Sequence, residues 1–386
     1  MPSQTSLFST LMQHLPMGQF DRSVKRHKAN KGVRTLTARS HLGAMVIGQL
    51  SDAEGLRDVE AASAGQAGEL KRLRLLPAAR STLADANASR APEVFEELIA
   101  PLLAKLSPTQ RRKAQQEVRI LDATRILPGA GAGEWARFAA AKVAAKVHMV
   151  YDPQRQAPVY FEISSGNLND ITVAKQSLVI EARASYVFDV GYYDFGFWAK
   201  LDAAGCRFVT RVKKNTPLTT LEERPVPSAG NIVSDRVVSL PERQAKSRKN
   251  PFGKPGRAIT IRLDTGKSIT LFSNDLESPA SVIANLYKTR WQIELFFRWI
   301  KQNLKIRHFI GTSKNAVRIQ VAVALVVYLV LRFLYKLSNS RKPFTTFCRA
   351  FGHCLFKTVT LQRHIERLEN VLRRHVSDDN QLAFAL

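Results

Sequence analysis

Residues 1 to about 105 hold few strand-like alternating runs and are predicted helical, with apolar positions at helical spacing in HLGAMVIGQL. SDAEGLRDVEA follows, with Ser51 as a candidate N-cap and Glu54 at the capping-box position. The texture changes near Glu117. EVRILDAT reads as a short buried strand ending on Asp122. AAKVHMVYDP and PVYFEISSG read as two further strands joined by a turn at Asp152–Ala157. A helix is expected from Asp170 to Glu181, and ASYVFDV is another strand, ending on Asp189. A helix then runs from Gly191 towards Gly205, and CRFVTRV is a fifth strand. This order is that of an α/β fold around a mixed sheet.

Residues 213–280 break the pattern. NIVSDRVVSL, RAITIRLD and SITLFSND are strand-like, and the polar loop ERQAKSRKNPFGKPGR separates the first two. From Ser281 the chain is helical again. Ser278 or Ser281 can cap one long helix through Tyr287 and Lys301, and an apolar helix covers Ala316 to Leu337. The tail from Arg341 is helical and basic. The expected division is therefore a helical N-terminal domain (1–105), an α/β core begun by 117–212, a β-rich insertion (213–280), helices returning to the core (281–340) and a basic tail (341–386). The longest apolar run, Val321 to Leu331, is too short to span a bilayer and reads as a buried helix, so no membrane partner is expected. The N-terminal MPSQTSLFSTLMQHL lacks the charged start and apolar run of a secretory signal.

Charge narrows the partner. Lys and Arg number 58 against 32 Asp and Glu, a net of +26. A field of that sign points to a polyanion, nucleic acid ahead of an anionic membrane surface. Residues 281–386 alone hold 18 basic and 5 acidic side chains. An early cluster (Arg22, Lys25, Arg26, Lys28, Lys31, Arg34, Arg39) beside short helices suits a helical DNA-binding module, with a charged helical bundle as the plain alternative. Lys246, Arg248 and Lys249 of the polar loop are placed either on a phosphate backbone or in solvent. The three cysteines, Cys206, Cys348 and Cys354, have no zinc-ligand spacing. They read as small buried residues in a protein of the reducing cytosol.

The chemistry concentrates in YKTRWQIELFFRWIK. Tyr287, Arg290, Glu294 and Lys301 fall within an arc of roughly 60° if the helix is continuous. Leu286, Ile293, Phe297, Ile300 and Leu304 form an adjoining apolar stripe. Three of the four polar groups can bind phosphate oxygens. The carboxylate can do so only through a metal ion, or else it pairs with Arg290 or Arg298. Asp122 and Asp189 each end an apolar strand before a break. Two such aspartates brought together repel unless something positive lies between them, and a pair of Mg²⁺ ions serves. One ion can activate an attacking oxygen while the other stabilises the leaving oxygen.

Other candidates have plainer readings. Asp152, Asp170, Asp194 and Asp202 read as surface, turn or capping acids, and His148 as structural. Trp198, Trp291 and Trp299 read as core aromatics, with a DNA-facing Trp291 as the minority reading. A flipped base needs an aromatic surface, and the insertion offers Phe252 and Phe272.

The run from Tyr287 to Lys301 resembles the tyrosine–arginine–glutamate–lysine signature of the insertion-sequence-4 family of DDE transposases. FDVGYYD around Asp189 and LDATRILPG around Asp122 resemble the family's two aspartate motifs, with Ala123 where the family more often has a small polar residue or glycine. The resemblance covers nearly the whole chain. It implies an RNase-H-like catalytic core with a β-rich insertion before the last acid. It implies Asp122, Asp189 and Glu294 as catalytic, metal-holding residues for two Mg²⁺ ions, with Mn²⁺ as a substitute. It further implies Tyr287, Arg290 and Lys301 on terminal DNA phosphates, with Arg298 beside them. The expected activity is cleavage at the terminal inverted repeats of a bacterial element and strand transfer into target double-stranded DNA, by a homodimer at the nucleoid. The alternatives are an inactive or domesticated DNA-binding protein of the same fold, and a nuclease without strand transfer.

Overall fold

A computed structural model describes residues 6–51, 53–106, 117–127, 134–139, 142–226, 230–245, 248–304 and 311–357. The chain opens with helices α1 (Leu7–His14), α2 (Met17–Arg26), α3 (Ala38–Leu50), α4 (Leu56–Ala64), α5 (Ala67–Arg72), α6 (Arg80–Ser89), α7 (Glu93–Glu96) and α8 (Ile99–Leu106). Strand β1 (Val118–Ile126) follows, then the short pair β2 (Arg137–Ala139) and β3 (Lys142–Val143), then β4 (Ala145–Asp152) and β5 (Ala157–Ser165). After α9 (Asp170–Ser177) come β6 (Ser185–Val187), α10 (Phe195–Ala203) and β7 (Arg207–Arg211). The next stretch holds β8 (Thr219–Arg224), β9 (Ile232–Ser239), β10 (Arg243–Ala245), β11 (Arg248–Lys249), β12 (Gly256–Arg262) and β13 (Ser268–Ser273). Helices α11 (Ala280–Lys288), α12 (Trp291–Asn303), α13 (Lys314–Ser338) and α14 (Phe344–His353) complete the described chain.

Two compact units emerge. One joins Met1–Ser107, Ile126–Ala144 and Arg298–Leu386; the other joins Pro108–Arg125 and Ala145–Phe297.

The first unit is built on α13. Its apolar residues run all round, from Val317 and Ile319 to Leu331 and Leu334, and they are buried. Helices α1, α3, α6, α7, α8 and α14 pack against it. Ser313 caps its start, accepting from the Ala316 amide, and Asn339 ends it in the left-handed region. Arg318 ties it to α7 with two bonds to Glu96, of 2.9 and 3.0 Å. By length and composition α13 alone, among the described residues, qualifies as a membrane span, but 83% of its most apolar window is buried within the protein.

The second unit is a nine-stranded sheet in the order β5-β4-β1-β6-β7-β13-β12-β9-β8. β1, β6 and β7 run parallel to one another, while β4 with β5 and the whole β7-to-β8 side pair antiparallel. The strands of residues 213–280 thus extend one continuous sheet through β13 on β7. β8, TTLEER, is a strand the sequence pattern did not suggest. It is an exposed edge, so no burial imprinted alternation on it. The loop ERQAKSRKNPFGKPGR contains the small β10–β11 hairpin.

One aromatic core holds the sheet to its helices. Trp198 stacks on Phe272 with centroids 5.2 Å apart, and Phe188, Phe195, Phe208 and Phe252 surround them. Phe272 lies flush on Gly256, where a Cβ would sit 2.1 Å from the ring, so only glycine fits. Phe252 and Phe272 are fully used in this core and cannot serve as stacking surfaces for a base. Two buried arginines stitch strands together: Arg119 meets Asp152, Glu181 and Glu117, and Arg257 grips Asp235 with both arms of its guanidinium. Asp152 is a turn acid, accepting from the Gln154 and Arg155 amides, but a buried one that is also ion-paired with Arg119 and Arg155.

The capping reading at Ser51 is corrected. Ser51 ends α3, and α4 begins behind Gly55, where the Asp58 carboxylate accepts from the Glu54 and Gly55 amides.

Candidate active site

The site begins with strand pairing. Val118 pairs with Ser185, Arg119 with Tyr186 and Ile120 with Val187, a constant offset of 67 residues. The same offset joins Asp122 to Asp189, each two residues past the last pair. β1 does not end on Asp122 as the sequence pattern suggested; it continues to Ile126. β6 stops at Val187, and Asp189 caps the 3₁₀ turn Val190–Tyr192, accepting from the Gly191 amide at 2.8 Å. Asp189 thus lies just beyond the carboxyl end of β6, where open α/β sheets place their ligands, and Asp122 stands at the same level within β1, past its last pair with β6.

Glu294 stands in the first turn of α12. The single long helix expected there is two helices. The chain tightens between them: the Arg290 amide bonds Tyr287 O and the Gln292 amide bonds Thr289 O, three residues back rather than four. Pro279 is the N-cap of α11, with no side-chain bond from Ser278 or Ser281. The break invalidates the 60° arc, which required one continuous helix. It leaves Arg290 in the link between α11 and α12, with Tyr287 in the turn before and Glu294 in the turn after.

Arg290 spans the acids. Its Nη2 lies 2.5 Å from Glu294 Oε1 and its Nη1 lies 3.8 Å from Asp122 Oδ2. Its Nε is buried without a partner, and its guanidinium carbon lies 5.9 Å from the centroid of the Tyr287 ring. The Asp122 carboxyl is pushed up to about 7 by burial, with Asp189 and Glu294 adding to the rise. The bond from the Ala123 amide and the charge of Arg290 oppose it without cancelling it. Tyr192 is fully buried against the same negative field, and its hydroxyl is raised well above its ordinary value, mainly by burial.

The structure therefore brings Asp189 and Glu294 each within electrostatic reach of Asp122, and Arg290 bridges Asp122 and Glu294. Among the described residues, no three potential metal ligands stand close enough to hold an ion as placed. The donor set nevertheless fits a hard divalent cation: three carboxylates, no sulfur and no imidazole, with the Asp122 carboxyl raised first by burial and then by the charges of Asp189 and Glu294.

Beside the acids lies a groove of about 690 Å³, lined among others by Arg211, Arg262, Tyr287, Lys288, Arg290 and Trp291. Trp291 is 51% exposed and is not a core residue, whereas Trp198 is buried and Trp299 stacks on Phe344. Tyr287 is buried, which raises its hydroxyl pKa. Arg298 is exposed and Lys301 half-buried, both in the first unit, beyond the point where α12 leaves the second. Lys249 is exposed in β11; Lys246 and the side chain of Arg248 lie outside the described residues.

Sequence reasoning missed Arg211, Arg262 and Lys288 as groove residues. Asp170, read as a surface, turn or capping acid, begins α9 and approaches Asp189 across Gly191: a Cβ on Gly191 would sit 2.9 Å from Asp189 Oδ1 and 3.2 Å from Asp170 Oδ2. Lys146 neutralises Asp170 at 2.9 Å. His148 is structural, bonded through Nε2 to Ser164 Oγ at 2.8 Å.

Comparison with known proteins gives the family. The "Transposase DDE domain" family matches residues 113–330, and a "Domain of unknown function (DUF4372)" matches residues 3–73. A Sinorhizobium fredii protein named as transposase y4zB is 38% identical over 279 residues, 71% of this chain and 77% of its own. A Geobacillus stearothermophilus protein named as a transposase for insertion sequence element IS5377 is 27% identical over 267 residues, 67% of this chain and 69% of its own. Among solved structures, a piggyBac transposase synaptic complex with hairpin DNA has a TM-score of 0.44 at 12% identity, over 96% of this chain and 83% of that one. A domain match over more than half the chain, joined to a relative of this identity, places the protein in the DDE transposase family, whose members generally use divalent metal ions.

Proposed function

We propose that this protein is the transposase of an insertion sequence of the insertion-sequence-4 group, and that it cuts the ends of its element and joins them to target DNA. The carrying observation is that Asp189 and Glu294 both converge on Asp122, whose carboxyl is raised by burial and by these acidic neighbours, with Arg290 bridging Asp122 and Glu294. The order β5-β4-β1-β6-β7, with Asp122 and Asp189 each two residues past the last pair of the adjacent parallel strands β1 and β6, supports an RNase-H-like core extended by β13, β12, β9 and β8.

In this reading Asp122, Asp189 and Glu294 hold divalent ions, Mg²⁺ first, which would activate the attacking oxygen and stabilise the leaving one. The other residues position DNA. Arg211, Arg262 and Lys288 line the groove as phosphate partners, and the half-exposed Trp291 offers a flat face beside them. Arg290 pairs with Glu294, and would be free to turn to phosphate where a bound ion met that charge. Tyr287 packs under the guanidinium and limits its reach. Two element ends are processed together, so the working form is a dimer on DNA.

The test is incubation of end-containing duplex DNA with the protein and Mg²⁺ or Mn²⁺, scored for strand breaks at the element end and for joined products. Glu294→Gln should bind the same DNA and leave it intact. Full cleavage by that variant would remove Glu294 from the site. Breaks without joined products would reduce the activity to that of a nuclease.

A further inference from the structure

We propose that the connection between α2 and α3, residues 27–37, is a preformed loop that grips the phosphate backbone of duplex DNA without reading its sequence. The inference rests on the reading that DNA is the partner, and it assigns a surface and a mode of binding to the N-terminal helices.

Basic residues recur at every third position through this region: Arg22, Lys25, Lys28, Lys31 and Arg34, all exposed. Arg26 is spent on Glu97 at 3.0 Å, and Arg22 leans on Gln19. No carboxylate among the described residues lies within ion-pair distance of Lys25, Lys28, Lys31 or Arg34. Their charge is therefore turned wholly outward.

The loop that carries them is held from beneath. Turn bonds join Lys28 N to Lys25 O, Lys31 N to Lys28 O and Val33 N to Asn30 O, with Lys28 and Gly32 in the left-handed region. The Ala38 amide donates to Asn30 Oδ1 at 2.7 Å. Arg90, only 7% exposed, reaches up from the end of α6. Its Nε donates to Ala29 O and its Nη2 to Leu36 O, at 3.2 and 2.9 Å, so one guanidinium fixes both shoulders of the loop. Its Nη1 donates to His41 Nδ1 at 2.8 Å. That bond leaves the imidazole proton on Nε2, which donates to Asn87 Oδ1, also at 2.8 Å. A buried arginine used to clamp loop carbonyls is costly to desolvate, and what it fixes is the backbone from which the lysines project.

The neighbouring helix cannot be a reading head. α3 is buried on every side, from His41 and Leu42 to Ile47, so it has no face to lay in a DNA groove. Contacts made by the loop alone reach phosphates, which position a protein and carry no sequence information. A lipid surface fits less well: no large apolar side chain is exposed between Pro16 and Arg39 to enter the membrane beside the charges.

The experiment compares the full chain with a Lys28→Gln, Lys31→Gln, Arg34→Gln variant and a charge-matched control, Arg57→Gln, Lys71→Gln, Arg80→Gln. Binding to end-containing and scrambled duplexes is measured by fluorescence anisotropy in EDTA, so the outcome is independent of cleavage. Removing three phosphate contacts should flatten the dependence of log affinity on log salt by roughly 2.7. The loop variant should thus lose about 40-fold less affinity than wild type between 50 and 200 mM salt. The preference for element ends over scrambled DNA should be unchanged, and the control should behave as wild type. An unchanged slope, an equal effect in the control, or loss confined to binding of phosphatidylserine vesicles would each overturn the assignment. Matching thermal unfolding curves establish that the loop variant is folded.

Discussion

Asp122 and Asp189 stand at the same level of two neighbouring parallel strands, each two residues beyond the last of three paired positions. That register, not sequence proximity, makes them one site. Side chains that act as a unit are non-additive when removed. Asp122→Asn and Asp189→Asn should each lower end cleavage by roughly a thousandfold, and the double variant should be little worse than either. Circular dichroism should be unchanged. Multiplicative losses would show that the two carboxylates act separately.

The raised Asp122 makes a claim about pH. A carboxyl whose folded value is near 7 and whose unfolded value is 3.8 binds its proton more tightly in the native state. Its contribution to stability is present below 3.8 and is lost as pH rises through 7. With an exposure of 18%, solvent screens it little, and the loss is on the order of 2–4 kcal/mol, shared with the acids around it. Metal-free protein should therefore lose denaturant stability between pH 4 and 7, and Asp122→Asn should flatten that decline. Mg²⁺ or Mn²⁺ should raise the melting temperature more at pH 8 than at pH 5, where the proton competes. An equal rise at both pH values would remove Asp122 from the ion's ligands.

His41 carries the opposite sign. Burial, and next the charge of Arg90, lower it to about 3 from 6.5. Its contribution is present above 6.5 and is lost as pH falls towards 3, with about 2 kcal/mol gone by pH 5. Acid should loosen the loop that Arg90 clamps, so hydrogen exchange at Ala29 to Leu36 should accelerate between pH 6.5 and 5 after correction for intrinsic rates. His41→Gln should remove that pH dependence. Uniform protection across the range would show that the clamp does not need a neutral imidazole.

The strands around the acids were legible in the sequence as short apolar runs, although β1 runs past Asp122 to Ile126 and β6 already stops at Val187. α13 was legible because eleven apolar residues in succession can only be buried. The break between α11 and α12 was not. Periodicity sees Tyr287 and Glu294 on compatible faces and cannot see three-residue hydrogen bonds at Thr289 and Arg290. Ser51 misled for a related reason: Ser-x-x-Glu spacing is local, whereas the core burial of α3 carries the helix as far as Leu50. The groove residues Arg211 and Arg262 lie on strands and share a groove with Arg290 only through the sheet order, which no spacing rule encodes.

Gly191 offers the finest test of the site's geometry. It has no need of a glycine backbone, because it does not lie in the left-handed region. What it lacks is room, since an added Cβ would meet Asp189 Oδ1 at 2.9 Å and Asp170 Oδ2 at 3.2 Å. Gly191→Ala must move one or both carboxylates by a few tenths of an ångström while leaving the buried Tyr192 beside it in the core. A displacement of up to 1 Å at a reacting centre costs about a hundredfold in rate, whereas the stability cost of one crowded methyl is about 1 kcal/mol. Gly191→Ala should thus keep DNA affinity, melt within a few degrees of wild type and cleave roughly 10- to 100-fold more slowly. Gly253→Ala, whose added methyl meets nothing within 4 Å, should be indistinguishable from wild type in all three measurements. If Gly191→Ala cleaves at the normal rate, the position of Asp189 does not limit the chemistry, and the turn after β6 is a structural cap only.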